Sequence, residues 1–222
     1  MKMIGRLIIL LGRARDVFKE EGLIVVLRRG LALGCSIFFE CGNYYLHEHM
    51  LEEKNEADFM PGIHNFNFKI VHNNEEADEL VSNIGIDFRK RFVDSRRRLD
   101  KGAIAFGIFV NGEIAHIGWV ALSEEAKKAV DSLPFKVDFS NKEACTGGTE
   151  TVPEYRGKGL MVYGYFKRLE FLRERGVILS RSSVAVDNIA SQKAHARFSY
   201  KIYAEARYLR LLWWKLLRIK AR

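Results

Sequence analysis

The sequence predicts a protein of the α/β class (α+β), with a central mixed sheet flanked by helices. Three observations predict it. Ile104–Val110 and Glu113–Leu122 are two strand patterns joined by Asn111-Gly112, a dipeptide whose tolerance of positive φ suits a two-residue hairpin turn. From Val152 to Gly176 a strand end, a glycine-containing turn and an amphipathic helix follow one another. Between 66 and 212, strands and helices alternate with no internal repeat and no low-complexity tract.

In chain order, residues 1–62 read as a helical N-terminal extension. Apolar clusters at Ile4/Leu7/Ile8/Leu11, Leu23/Val26/Leu27 and Leu31 recur at helical spacing, broken by glycines at 12, 22, 30, 34 and 42. Pro61-Gly62 marks a turn, and the second unit spans 63–222. Phe66–Val71 alternates like a strand. Asn74 is a helix N-cap candidate ahead of Glu75 and Glu76, in a helix that runs to about Ser82. A second, basic helix is expected over Ile86–Leu99. Strand Ala144–Val152 stops at Pro153, because proline cannot continue a central ladder. A helix over 160–175, strand Ile178–Val186, helix Ile189–Phe198 and two strand patterns near 200–212 complete the order.

Composition narrows the function classes. The 222 residues are 48% apolar with only three prolines, which excludes a disordered chain or a long flexible linker. Three cysteines at irregular spacing exclude a disulfide scaffold and point to a reducing compartment. The apolar run Leu7–Leu11 and the uncharged stretch Gly30–Phe39 are both too short for a bilayer span. A cytoplasmic location is expected, with the inner face of the membrane as the variant. The net charge of +8 is uneven: residues 86–101 carry seven Lys/Arg against three Asp, and the segment 205–222 is also strongly basic. Such a balance serves nucleic acid, an anionic membrane or a phosphorylated ligand. Nucleic acid is set aside, since no aromatic stacking residues interleave Arg96-Arg97-Arg98.

The turn Arg156-Gly157-Lys158-Gly159-Leu160 carries the most specific chemistry. Its glycines let backbone amides approach a ligand, and the following helix N-terminus adds partial positive charge. Two cationic side chains reinforce that potential, so the turn reads as a pyrophosphate site. Neither GxxxxGK[ST] nor GxGxxG is complete here. An ordinary strand-to-helix turn with surface charges is the competing interpretation.

The stretch VPEYRGKGL, Val152–Leu160, resembles motif A of the GCN5-related N-acetyltransferases (GNAT superfamily), a [QR]-x-x-G-x-[GA] pattern. Arg156 and Gly159 match its first two fixed positions, while Met161 stands where the family has Gly or Ala. Downstream, VAVDNIASQKAHARFSYKI resembles the family's next strand–helix region: Asn188 and Ser191 fit, whereas His195 replaces the usual tyrosine. The resemblance covers about 66–212. It implies the GNAT fold, a twisted sheet of six to seven strands, and direct acetyl transfer from acetyl-CoA to a primary amine of a small molecule, with no metal. It places pantetheine along Glu150–Val152, with Thr151 and Val152 in contact. The pyrophosphate falls on the amides of Arg156, Gly157, Lys158, Gly159 and Leu160, and Asn188 also lies in the cofactor region. Glu150 and Glu143 are the candidate general bases, and His195 is the candidate acid for the thiolate. Arg96, Arg97 and Arg98 border the acceptor groove, where they would suit an acidic or phosphorylated acceptor such as an amino-sugar metabolite. The alternatives are a catalytically silent module that binds CoA or a partner, and a membrane-surface acyltransferase acting on a lipid-linked or cell-envelope acceptor.

Strand alternation puts Glu143, Cys145, Gly147, Thr149 and Thr151 on one face and Ala144, Thr146, Gly148, Glu150 and Val152 on the other. Gly147-Gly148 is a candidate bulge. His47 and His49, taken as helical, would face apart and hold no metal. The tail 213–222, with Trp213, Trp214 and interleaved Lys/Arg, is a candidate peripheral membrane contact. No sequence pattern points to a particular oligomer.

Overall fold

A computed structural model describes residues 15, 18, 22–25, 27 and 39–222. Eight strands form one sheet in the order β2-β3-β4-β5-β6-β1-β7-β8. They are β1 Phe39–Met50, β2 Phe66–Val71, β3 Ile104–Val110, β4 Glu113–Ala121, β5 Glu143–Thr151, β6 Leu179–Ala185, β7 Tyr200–Leu211 and β8 Trp214–Ala221. The helices from residue 39 onward are α1 Asn74–Ile84, α2 Ser95–Asp100, α3 Glu124–Val130, α4 Leu160–Glu174 and α5 Ile189–His195. Neighbouring strands are antiparallel except β5 and β6, which run parallel.

Local chemistry explains most of these boundaries. Asn111 (φ 49°) and Gly112 (φ 80°) make the two-residue β3–β4 turn that the dipeptide predicts. Asn73, rather than Asn74, caps α1 by accepting from the Glu76 N–H, and Gly85 ends that helix in the left-handed region. Ser123 caps α3 through the Ala126 N–H. The helix expected over 86–99 is interrupted. Asp87 caps a short 3₁₀ turn at Phe88–Lys90, Asp94 adopts φ 64°, and only Ser95–Asp100 continues as α2. Arg89 is drawn inward to Asp87, Asp78 and the Asn74 carbonyl, so this segment is not a uniform basic face.

The N-terminal region departs most from expectation. Residues 39–50 are not helical; they form β1, inserted between β6 and β7. It pairs with β7 from Phe39 onward and with β6 from Tyr44 onward, so long-range strand pairing rather than local helix propensity places it. The apolar clusters read as helical at 4–11 and 31 lie outside the described residues. The sheet has eight strands against the six to seven expected: β1 and the basic tail, β8, are added, and the two strand patterns expected near 200–212 form one continuous strand, β7.

Two layers cover the sheet. On one face Phe88, Phe92, Leu99, Ala126, Val130 and Trp119 form the larger core with α1, α2 and α3. On the other, α4 buries Leu160, Phe166 and Phe171 against Ile108, Phe106 and neighbours. That second face also holds a buried polar row: His116 on β4, Thr146 on β5, Ser180 and Ser182 on β6, and His47 and His49 on β1.

Candidate functional site

The site grows from a single topological event. β5 and β6 pair only over Glu143↔Leu179, Ala144↔Ser180 and Cys145↔Arg181, after which they diverge. β5 continues to Thr151, held by β4 alone. A stretch of strand edge is thereby turned toward a V-shaped gap, and its peptide groups need partners from outside the sheet. At the vertex, Arg181 donates to both oxygens of Glu143 (2.7 and 2.9 Å) and to Glu48 of β1 (2.6 Å). The guanidinium holds the Glu143 carboxyl below the usual carboxylate range.

Along the diverging strand sits a bulge. Trp119 faces Gly147 and Ile117 faces Glu150, so Gly148 and Thr149 together oppose Gly118. Gly148 takes φ 56°, and a Cβ there would lie 2.6 Å from Arg98 Nη1 and 2.9 Å from Trp119 Cδ1. The extra residue resets the alternation. Thr149 accepts from Arg168 Nη1 on α4 (3.0 Å), and Thr151 Oγ1 bonds His116 Nδ1 (2.8 Å), so both face α4. Glu150 between them therefore turns to the opposite face, that of Arg98 and Trp119. The simple alternation expected for 143–152 fails at the bulge.

Beyond β5 the chain enters the phosphate turn. Gly157 (φ 75°) and Gly159 (φ 82°) occupy the left-handed region, and Gly159 is the N-cap of α4 without a side-chain cap. The first N–H groups of α4 have no intrahelical acceptor, as at any helix start. Pro61-Gly62 packs against this turn: the Gly62 N–H donates to the Lys158 carbonyl (3.0 Å), and a Cβ on Gly159 would meet Pro61 Cα at 3.3 Å. Arg156 Nε donates to the Thr151 carbonyl (3.3 Å), tying turn to strand. Lys158 Nζ lies over the Tyr155 ring at 5.2 Å.

The residues singled out from the sequence thus divide. Glu150, Thr151, Arg156, Gly157, Lys158, Gly159 and Leu160 fall along one continuous path of strand edge, turn and helix start. Val152 gives its N–H to the Ala115 carbonyl on the β4 side, so it is Thr151 whose peptide groups alternate toward the gap. Asn188 caps α5 through the Ser191 N–H. Of the arginine trio only Arg98 reaches the bulge, donating to the Ala129 and Gly148 carbonyls and lying 5.3 Å from the Trp119 ring centroid. Arg96 instead pairs with Asp87, and Arg97 is exposed. Glu143 is committed to Arg181, which removes it as a base. His195 is buried, and desolvation pushes its pKa well below the ordinary histidine value, which disfavours the imidazolium expected as an acid. Cys145 is likewise buried with its thiol pKa raised, which removes it as a nucleophile.

Sequence reasoning missed two groups. Arg168 is completely buried, with its Nη2 unpartnered and its pKa lowered to about 10, first by desolvation. It braces the bulge through Thr149 from below. His47, His49 and His195 converge on the α4 side of the sheet. On a strand, residues two apart share a face, so taking 39–50 as helix separated two side chains that stand together.

Comparison with known proteins agrees with this architecture. The structure superposes with TM-score 0.53 on a fungal GCN5-related glucosamine N-acetyltransferase region within a multi-domain GH3 β-N-acetylglucosaminidase, at 16% identity over 82% of this chain. It is also similar to an acetyltransferase of the GNAT family from Colwellia psychrerythraea (TM-score 0.47, 16% identity, 87% of this chain, 62% of that one). A tandem GNAT protein of the clavulanic acid pathway gives TM-score 0.49 at 18% identity, over 80% of this chain and 54% of that one. The chain spans only 22% of the fungal protein's length. No protein-family profile and no curated protein matches the sequence. The chain has the GNAT fold, with β1 as an N-terminal strand within the sheet.

Proposed function

We propose that the chain is an acetyl-CoA-dependent N-acyltransferase that acts on a primary amine of a small molecule. The observation that carries this is the open β5 edge after Cys145, leading without interruption into the Gly157/Gly159 turn and the α4 N-terminus. An extended ligand bearing amides and ending in a diphosphate fits that path: strand edge for the amides, N–H groups and nearby Arg156 and Lys158 for the phosphates. Acetyl-CoA supplies the acyl group as an activated thioester. On the protein side, Thr151 pairs with the pantetheine arm, and Glu150 takes the proton that the acceptor ammonium must lose before its lone pair can attack. Arg98, beside the bulge on the face of Glu150, favours an acceptor with an anionic group; amino sugars and their phosphates are the class to try first.

Binding and turnover separate this from a silent CoA-binding module. Calorimetry with acetyl-CoA should give saturable binding, and thiol release over a panel of amines should identify an acceptor. Glu150→Gln should then lower kcat by roughly 10²–10⁴-fold with the acetyl-CoA KM little changed. Binding without turnover on any amine selects the silent module, and an unaffected kcat in Glu150→Gln removes that residue from the chemistry.

A second reading adds a membrane surface. The β7–β8 hairpin ends in exposed Trp213 (78%) and Trp214 (73%). The register sets Trp214 opposite Leu211, Leu211 opposite Phe39, and Leu209 opposite Leu216 on one open face. Arg207 and Arg218 pair further along that face, with Lys220 beyond. Aromatic tip and cationic rim together match an anionic lipid surface. The protein should co-sediment with vesicles of mixed neutral and anionic lipid more than with neutral vesicles, and Trp213→Ser/Trp214→Ser should lose at least tenfold in binding. Absence of lipid binding, or a dimer that the double variant dissolves, would assign the face to a second copy instead. Among the described residues, no helix is long and apolar enough to cross a membrane.

A further inference from the structure

Three imidazoles meet where β1, β6, α4 and α5 join. His47 and His49 project from β1 and His195 from the last turn of α5, and at most 5% of any of the three is exposed. One ring nitrogen from each lies within 4.8 Å of the other two. His195 Nδ1 and His49 Nε2 share a hydrogen bond of 2.9 Å. The remaining polar atoms are poorly served: both nitrogens of His47 and Nδ1 of His49 are buried without a partner. Ser182 stands directly opposite His47 in the β1–β6 register and is buried too. Buried polar atoms are nearly always bonded, so such a concentration at one point is a sign of a missing ligand.

The chemistry of that ligand follows from the donor set. Three neutral imidazoles offer lone pairs and no charge of their own, and the cluster contains no carboxylate or thiol. All three rings are buried, and burial disfavours a charged imidazolium. An anion would find one fixed cation near the cluster, Arg168, whose Nε and Nη1 are taken by Gly164 and Thr149 and which has only Nη2 left to offer. A hard, oxygen-seeking cation would find no carboxylate oxygens. A borderline divalent transition metal suits imidazole nitrogen. Ligand nitrogens about 2.0–2.1 Å from zinc in a tetrahedron stand roughly 3.3 Å apart, against the 4.8 Å within which the three nitrogens now lie.

We propose that His47, His49 and His195 bind one Zn²⁺ ion that fastens β1 to α5. The ion takes the place of the proton shared between His195 and His49, which shifts to the far nitrogen of the ring that carried it so that both imidazoles stay neutral, and it gives His47 the partner it lacks. Ring planes of Tyr165 and Tyr200, with centroids 5.1 and 5.7 Å from that of His49, wall the cluster. The role is structural: the N-terminal strand, whose position in the sheet depends on long-range pairing, is clamped to the C-terminal end of the α5 helix. The clamp does not depend on the acyltransferase proposal.

The test uses the tag-free full chain, stripped with a chelator and titrated with Zn²⁺, Co²⁺ or Mg²⁺. Zn²⁺ is expected to bind at one ion per chain and to survive gel filtration. At free Zn²⁺ near 100 times Kd it should raise Tm by about 5–10 °C, while Mg²⁺ does nothing. Co²⁺ should develop the intense visible bands of a tetrahedral nitrogen-rich site. His47→Gln and His195→Gln should each weaken Zn²⁺ binding by more than about 100-fold. His64→Gln/His72→Gln, on exposed positions, should leave it unchanged. X-ray absorption at the zinc edge of the unmutated protein reads the ligands directly even if a histidine variant does not fold. Three imidazoles support the site. Sulfur ligation, fewer than three imidazoles, no Tm shift with Zn²⁺, or binding lost only in His64→Gln/His72→Gln would overturn it.

Discussion

Replacing Gly159 with valine is expected to abolish acetyl-CoA binding while leaving the protein folded. Gly159 holds φ 82° at the N-cap of α4, a conformation that a β-branched residue resists. Its added Cβ would also press on Pro61 Cα at 3.3 Å. Two responses are open to the chain: strain of roughly 1–3 kcal/mol held in place, or a reoriented turn whose N–H groups no longer converge. The second destroys the phosphate cradle. Calorimetry should show at least about a 100-fold loss of affinity, close to 2.7 kcal/mol. Circular dichroism should be unchanged and Tm lowered by only a few degrees. Gly157→Val, with φ 75° and no neighbour within 4 Å of its Cβ, should lose less. Wild-type affinity in Gly159→Val would place the diphosphate elsewhere and with it the whole cofactor path.

How far the sequence reached depends on how local each signal is. The β3–β4 hairpin was legible because Asn111-Gly112 encodes its own turn, and the phosphate turn because two glycines and a helix start lie within four residues. The GNAT resemblance of those motifs agrees with the fold. β1 was illegible for the opposite reason. Its inward residues on one face are His47 and His49, with Leu46 the one fully buried aliphatic on the other, so no apolar alternation announces a strand. Its charges are answered far away, Glu48 by Arg181 and Glu40 by Arg210, 133 and 170 residues along the chain. The histidine cluster needs that same distant geometry, since His195 lies 146 residues from His49. Gly147-Gly148 did signal the bulge, yet the face on which Glu150 emerges follows only from knowing that Gly118 opposes two residues. Arg96-Arg97-Arg98 reads as one basic patch, whereas Asp87 draws Arg96 away and Arg98 turns to the bulge.

The gap that would admit the cofactor has to be held open as well as formed. β5 and β6 share only three register pairs before they part, and Arg181 sits at the third of them. By bonding Glu143 on β5 and Glu48 on β1, it joins three adjacent strands just where backbone pairing ends. The side chains of Arg181, Glu143 and Glu48 are 18%, 9% and 22% exposed, so solvent screens them only partly. Without the cation, the Glu143 carboxylate would be left buried with no opposite charge beside it.

Arg181→Ala should therefore be the most destabilising of the substitutions considered. A cost of about 3–5 kcal/mol is expected at pH 7, or roughly 6–20 °C in Tm for a chain of this length. The pH dependence carries the sharper sign. Arg181 depresses the folded-state pKa of Glu143, so its contribution in the unmutated protein is present above the unfolded value of about 4.3 and is lost as pH falls through the lower folded value. In Arg181→Ala the Glu143 carboxylate loses its cation and burial acts alone, which raises its affinity for protons. That variant should gain stability between pH 7 and 5, where the unmutated protein changes little. Arg181→Met/Glu143→Gln, which removes both charges of the closest pair, should recover most of the loss. If Arg181→Ala unfolds with the same Tm and the same pH profile as the parent, the vertex is held by backbone pairing alone. A variant that keeps its stability yet loses acetyl-CoA binding would instead assign Arg181 to shaping the gap.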